Sequence, residues 1–149
     1  MYNVNRQRIN ELLDHMNDVL LTVKPVLNLS KEEILDDKKL ILAVERALNI
    51  AIEAIVDVGN LIIDGFIMRD PGSYQDIIEI LRDEQVLPEE QADKYKKVVA
   101  YRKILVHEYT DAQPEVTYQL TVDEYTTLLS FAYYIRLYLD KVKLHSDGV

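Results

Sequence analysis

Residues 40–68, LILAVERALNIAIEAIVDVGNLIIDGFIM, decide the fold. The stretch is aliphatic almost throughout and rich in good helix formers, which predicts one long buried helix within about Asp36 to Met68. Within it Glu45, Asn49, Glu53, Asp57, Asn60 and Asp64 recur at steps of three or four residues. They therefore form a single polar ridge on an apolar rod, either facing solvent or meeting cations from elsewhere in the chain.

On the N-terminal side, Ile9, Leu12, Leu13, Met16, Val19, Leu20 and Val23 fall at helical spacings. They predict an amphipathic helix over about residues 5–23 that fades near Pro25. Ser30 with Glu33 reads as a capping box at a second helix start. On the C-terminal side, Asp70-Pro71-Gly72-Ser73 is a turn whose serine can cap a helix carrying Ile77, Ile78 and Leu81. Leu87-Pro88-Glu89-Glu90 restarts the chain, with acids beside the positive end of a helix expected over about residues 89–108. Thr121 with Glu124 reads as a second capping box, opening a last helix through about Lys143. No internal repeat or long linker is present. The expectation is one all-α domain over residues 1–149, an antiparallel bundle of five or six helices ordered over about 5–143, with 144–149 a frayed tail.

Composition narrows the chemistry. Of 149 residues, 48% are hydrophobic and 29% charged, enough to build a core, while four Gly and four Pro are too few for a turn-rich β fold. The absence of Cys excludes disulfide scaffolds, thiol nucleophiles and cysteine-held metal centres, and fits a reducing compartment. The longest uncharged stretch, Tyr125 to Ile135, is 11 residues, so neither export nor membrane spanning is expected and a cytoplasmic location is.

A net charge of −9 opposes nucleic-acid binding unless the basic residues are segregated. They are: Lys94, Lys96, Lys97, Arg102 and Lys103 fall in one acid-free window, KYKKVVAYRK. The rest of the chain then holds 12 basic residues against 26 acidic ones, a net of −14. On an ideal helix Lys96, Lys103 and His107 share a strip about 40° wide. Arg102 points among aliphatics, where an unpaired guanidinium is costly, so it needs a carboxylate, with Glu45, Glu53 and Asp57 as candidates.

Di-iron bundles need Glu-x-x-His pairs, and none of His15, His107 and His145 has a Glu three residues before it. Phosphate-binding glycine loops and the G-x-S-x-G elbow are missing as well, so no metal or cofactor is expected. What survives is a histidine at the end of a cationic helix, able to move a proton near neutral pH beside a phosphate-binding cation.

Arg102-x4-His107-x-Tyr109 resembles the R-x4-H-x-Y motif of HepT-like toxins in the HEPN superfamily of small helical domains. The segments RKILVHEYTD and ERALNIAIEAIVDVGNLII are similar to the corresponding family segments, and the likeness runs from about residue 5 to 140. The resemblance implies a homodimeric, metal-independent endoribonuclease toxin with motifs from both protomers facing a shared cleft. It assigns Arg102 to the scissile phosphate, His107 to general base or acid chemistry at the ribose 2′-OH, and Tyr109 to adenylylation by a minimal nucleotidyltransferase antitoxin. Lys96 and Lys103 are candidate phosphate contacts. Lys103 stands where HEPN nucleases often carry Asn. The alternative is a non-catalytic helical partner that binds nucleotide or substrate for a nucleotidyltransferase; a third reading is a plain dimerisation module. An ideal helix separates Arg102 from His107 by about 140°. Convergence on one phosphate then needs a bent Arg102 side chain, a loosened helix before His107, or one group from each of two protomers.

Overall fold

The computed structural model describes residues 2–147, with side chains described through Lys143. Seven helical segments follow in order: α1 (Arg6–Leu27), α2 (Lys31–Asp36), α3 (Lys38–Gly65), α4 (Tyr74–Asp83), α5 (Glu89–Ala100), α6 (Arg102–Val106) and α7 (Pro114–Asp147). Only Tyr101 separates α5 from α6, so counting them as one broken helix gives six. The described residues contain no strand.

The long aliphatic stretch forms α3, whose buried side chains include Leu48, Ile52, Ile55, Ile62 and Ile63. Hydrogen bonds between neighbours fix the directions. Arg6 Nη1 donates to the Leu139 carbonyl at 3.1 Å, Arg136 reaches Asn10 and Asp14, and Tyr125 donates to the Leu20 carbonyl at 2.8 Å. Partner numbers rise along α1 as they fall along α7, so the two are antiparallel. Tyr95 pairs with Ser130 and Tyr101 with Thr117, which sets α5 antiparallel to α7 by the same logic. The Asn3 amide donates to the Gly65 carbonyl at 3.1 Å, pinning the entry of α1 to the end of α3.

Several element boundaries differ from the sequence reading. Helix α1 passes through Pro25 to Leu27, because a proline in the last turn costs one backbone bond while the Asn28 amide still closes the end on Lys24 and Val26. Ser30 accepts from the Glu33 amide at 3.1 Å, confirming the start of α2. Thr121 and Glu124 open no helix. Helix α7 begins at Pro114, whose fixed φ suits the first turn, and Thr121 Oγ1 donates back to the Thr117 carbonyl at 2.8 Å. Glu124 lies buried inside the helix with Oε2 unpartnered. At its other end α7 continues through Lys141 and Lys143, cations favoured at a helix C-terminus, to Asp147. The segment read as a frayed tail is thus helical over 144–147, and 148 and 149 lie outside the described residues.

Gly59 sets the separation of α3 and α4. A Cβ there would lie 2.5 Å from Ile77 Cγ2 and 3.6 Å from Leu81 Cδ1. Ile77 is buried and β-branched, so it yields little. Gly59→Ala is expected to destabilise the fold by about 1–2 kcal/mol in denaturant titration, overpacking outweighing alanine's better helix propensity.

Candidate functional site

Helices α4, α5 and α6 meet the polar ridge of α3, and there the ridge finds its cation. Arg102 Nε donates to Glu53 Oε1 at 2.5 Å, with Nη2 to Oε2 at 3.5 Å. The Arg102 side chain is 17% exposed and that of Glu53 35%. The bond to Glu53 and its negative charge push the guanidinium pKa above its usual value. Glu53 is thus the partner among the three candidate carboxylates. Glu45 lies about two helix turns away, facing Leu105 and Val106 across a small surface cleft. Asp57 is exposed, its carboxyl pushed up by desolvation and by the neighbouring Glu53 charge.

Tyr74, which the sequence reading passed over, is the other group on Arg102. Its hydroxyl accepts from Nη1 at 2.6 Å, and the guanidinium carbon lies 4.6 Å from its ring centroid. Three of the five guanidinium N–H groups are committed, leaving one on each terminal nitrogen.

In front of Tyr74 opens a cleft of about 620 Å³. One wall is the turn Pro71–Ser73 and the start of α4; the other carries Lys103 and His107, with Ile77 and Val99 at its base. Lys103 is 73% exposed and only loosely paired with Glu108 at 3.4 Å. His107, the exposed C-cap of α6, donates its backbone amide to the Lys103 carbonyl at 2.9 Å. The structure thus brings Lys103 and His107 to one cleft and joins Arg102 to it through Tyr74. Lys96 stands apart, its ammonium engaged by Glu79 on α4. Tyr109 is 68% exposed, two residues beyond His107.

The helix expected over 89–108 is broken at Tyr101. Tyr101 is buried with its hydroxyl 2.7 Å from Thr117 on α7, whereas the next residue reaches Glu53 on α3. The interruption falls before Arg102 rather than between Arg102 and His107, so it does not bring those two side chains onto one face.

The α4 wall is held by charge. Arg69 grips Asp76 with two bonds of 2.8 Å, and the Gly72 amide donates to Asp76 Oδ2 at 2.8 Å. The Arg69 bond, then the Gly72 amide, lower the Asp76 pKa from the usual 3.8 to about 2. The folded value lies below the unfolded one, so this contribution is present above about pH 4 and is lost as pH falls through 2. Protection of the Gly72 amide from exchange is expected to fall across that window, and Asp76→Asn should remove the pH dependence.

Among the described residues no group of three or more His, Asp or Glu side chains is placed to hold a metal ion. No helix there is long and apolar enough to cross a membrane.

This bundle, with Lys103 and His107 lining one cleft and Arg102 bonded to Tyr74 at its edge, has the architecture of a HEPN-type helical domain. It superposes on a Shewanella oneidensis HEPN toxin, tri-AMPylated and in complex with MNT antitoxin, with a TM-score of 0.69 at 20% identity, covering 83% of this chain and 94% of that one. A toxin–antitoxin crystal structure with AMP-PNP gives 0.70 at 19% identity, covering 83% and 95%. The chain belongs to the ribonuclease HepT-like family, whose model matches residues 9–135. It is 50% identical over 99 residues to "Putative RNase YutE" of Bacillus subtilis (strain 168), spanning 66% of this chain and 69% of that protein. The solved structure of Bacillus subtilis YutE, described as a cytosolic protein of unknown function, superposes with a TM-score of 0.85 at 40% identity, covering 95% and 94%.

Proposed function

We propose that the protein is the endoribonuclease toxin of a two-component system, acting without a metal and silenced by adenylylation of Tyr109. The observation that carries the reading is the cleft itself, with His107 and Lys103 on one wall and Arg102 fixed behind the other through Tyr74. Family membership supports the same chemistry. His107 takes the proton of a ribose 2′-OH, the 2′-oxygen attacks the adjacent phosphorus, and the 5′-oxygen leaves with a proton, giving a 2′,3′-cyclic phosphate and a 5′-OH end. A fixed guanidinium stabilises the charge on the phosphorane. Lys103 adds attraction for the incoming backbone. Tyr109 is open to a modifying enzyme, and an added AMP there brings negative charge beside His107, which repels RNA phosphate.

Arg102 and His107 lie on different faces of one short helix, which favours a homodimer whose cleft takes one group from each protomer. Subunit mixing tests this. Arg102→Ala and His107→Ala are each inactive on RNA, yet the mixture regains about a quarter of wild-type activity, because half the dimers are mixed and each has one complete site. A mixture as dead as its parents contradicts the shared cleft.

The commitment of Arg102 to Glu53 is also the observation that favours a second reading, a non-catalytic partner of a nucleotidyltransferase in which Arg102 is structural. Tight binding of the transferase by a chain that leaves RNA intact would establish it.

A further inference from the structure

We propose that the cleft is a nucleobase subsite, in which Tyr74 stacks on the base next to the phosphate handled by Arg102 and His107. This rests on the nuclease reading and adds to it the group that holds the substrate's base. Tyr74 begins α4 and keeps 39% of its surface exposed. Arg102 lies 4.6 Å from the ring centroid on one side, and the residue borders the cleft. A tyrosine backed by a guanidinium is a stacking platform, since every base offers a π-face.

The rest of the cleft matches the same ligand. Pro71, Ile77, Val99 and Ala100 give it an apolar lining suited to the flat face of a base. Asn60 and Gln75 add carboxamides, each with donors and an acceptor for a base edge. Lys103 and His107 stand where the attached sugar-phosphate would run. An inorganic anion would make no use of the apolar lining, and a lipid chain would leave the carboxamides and the cation unpaired. About 620 Å³ is ample for one nucleotide.

The test uses the full chain and two oligomers that the nuclease reaction cannot consume: a single-stranded 2′-O-methyl RNA heptamer, and an abasic 2′-O-methyl heptamer with the same backbone. Tyr74→Leu is expected to weaken binding of the first by about 5- to 100-fold and, because it also loses the bond that helps hold Arg102, binding of the second by no more than about threefold. Tyr74→Phe, which keeps the ring and the fold, should stay within about threefold of wild type on both. Equal weakening on both oligomers would overturn the subsite, because Tyr74 would then act only by holding Arg102. Unchanged binding in Tyr74→Leu, or no binding of either oligomer by wild type, would overturn it too. If unmodified RNA is left intact while the base-specific loss persists, the nuclease reading fails and the subsite stands.

Discussion

His107→Ala is expected to lower RNA cleavage by about 10²- to 10⁴-fold, the range lost with a general acid or base, while leaving the fold almost unchanged. The two halves of that expectation come from the same geometry. His107 caps a five-residue helix through its backbone amide, its side chain is exposed, and it borders the cleft. A side chain that supports no core can be truncated within about 0.5 kcal/mol. Matched melting curves with lost activity would therefore place the defect in chemistry. A variant within threefold of wild type would remove His107 from the mechanism.

Glu53→Ala is expected to act through Arg102. The substitution leaves a largely buried guanidinium with Tyr74 as its remaining partner. Breaking a fully buried pair costs about 3–5 kcal/mol, but Glu53 keeps a third of its surface in water, so a loss of about 1–2 kcal/mol is expected. Cleavage should fall by about 10- to 100-fold, since a loosened guanidinium no longer waits where charge develops. Arg102→Lys separates charge from geometry. Lysine keeps the cation but cannot serve Glu53 through Nε and Tyr74 through Nη1 at once, so its activity should resemble Arg102→Ala more than wild type. Wild-type cleavage in Arg102→Lys would show that charge alone suffices.

The helical architecture was readable because its signals are local. Apolar periodicity marks α1 and α3, and Ser30, Ser73 and Pro88 mark starts that the structure bears out. Misreadings arose where a local signal met a stronger constraint. Thr121 and Glu124 have capping-box spacing, yet Pro114 had already begun the helix seven residues earlier. The break at Tyr101 has no glycine or proline to announce it; it follows from two adjacent side chains tied to different helices.

At the site, the partner of Arg102 could be narrowed to three carboxylates on one ridge, because helical spacing places them together. Choosing Glu53 required knowing how α6 lies against α3. Tyr74 was illegible for the same reason. It is 28 residues from Arg102 and follows a turn, and nothing in the local sequence distinguishes it from any tyrosine at a helix start. Lys96 looked equivalent to Lys103 on a helical projection, but only the packed structure shows Glu79 beside it.

The most direct measurement is end-group analysis of single-stranded RNA incubated with the purified chain in excess EDTA. The predicted result is cleavage to fragments with 2′,3′-cyclic phosphate and 5′-hydroxyl ends, absent with His107→Ala. RNA left intact by the wild-type chain, or cut equally well by His107→Ala, would contradict it.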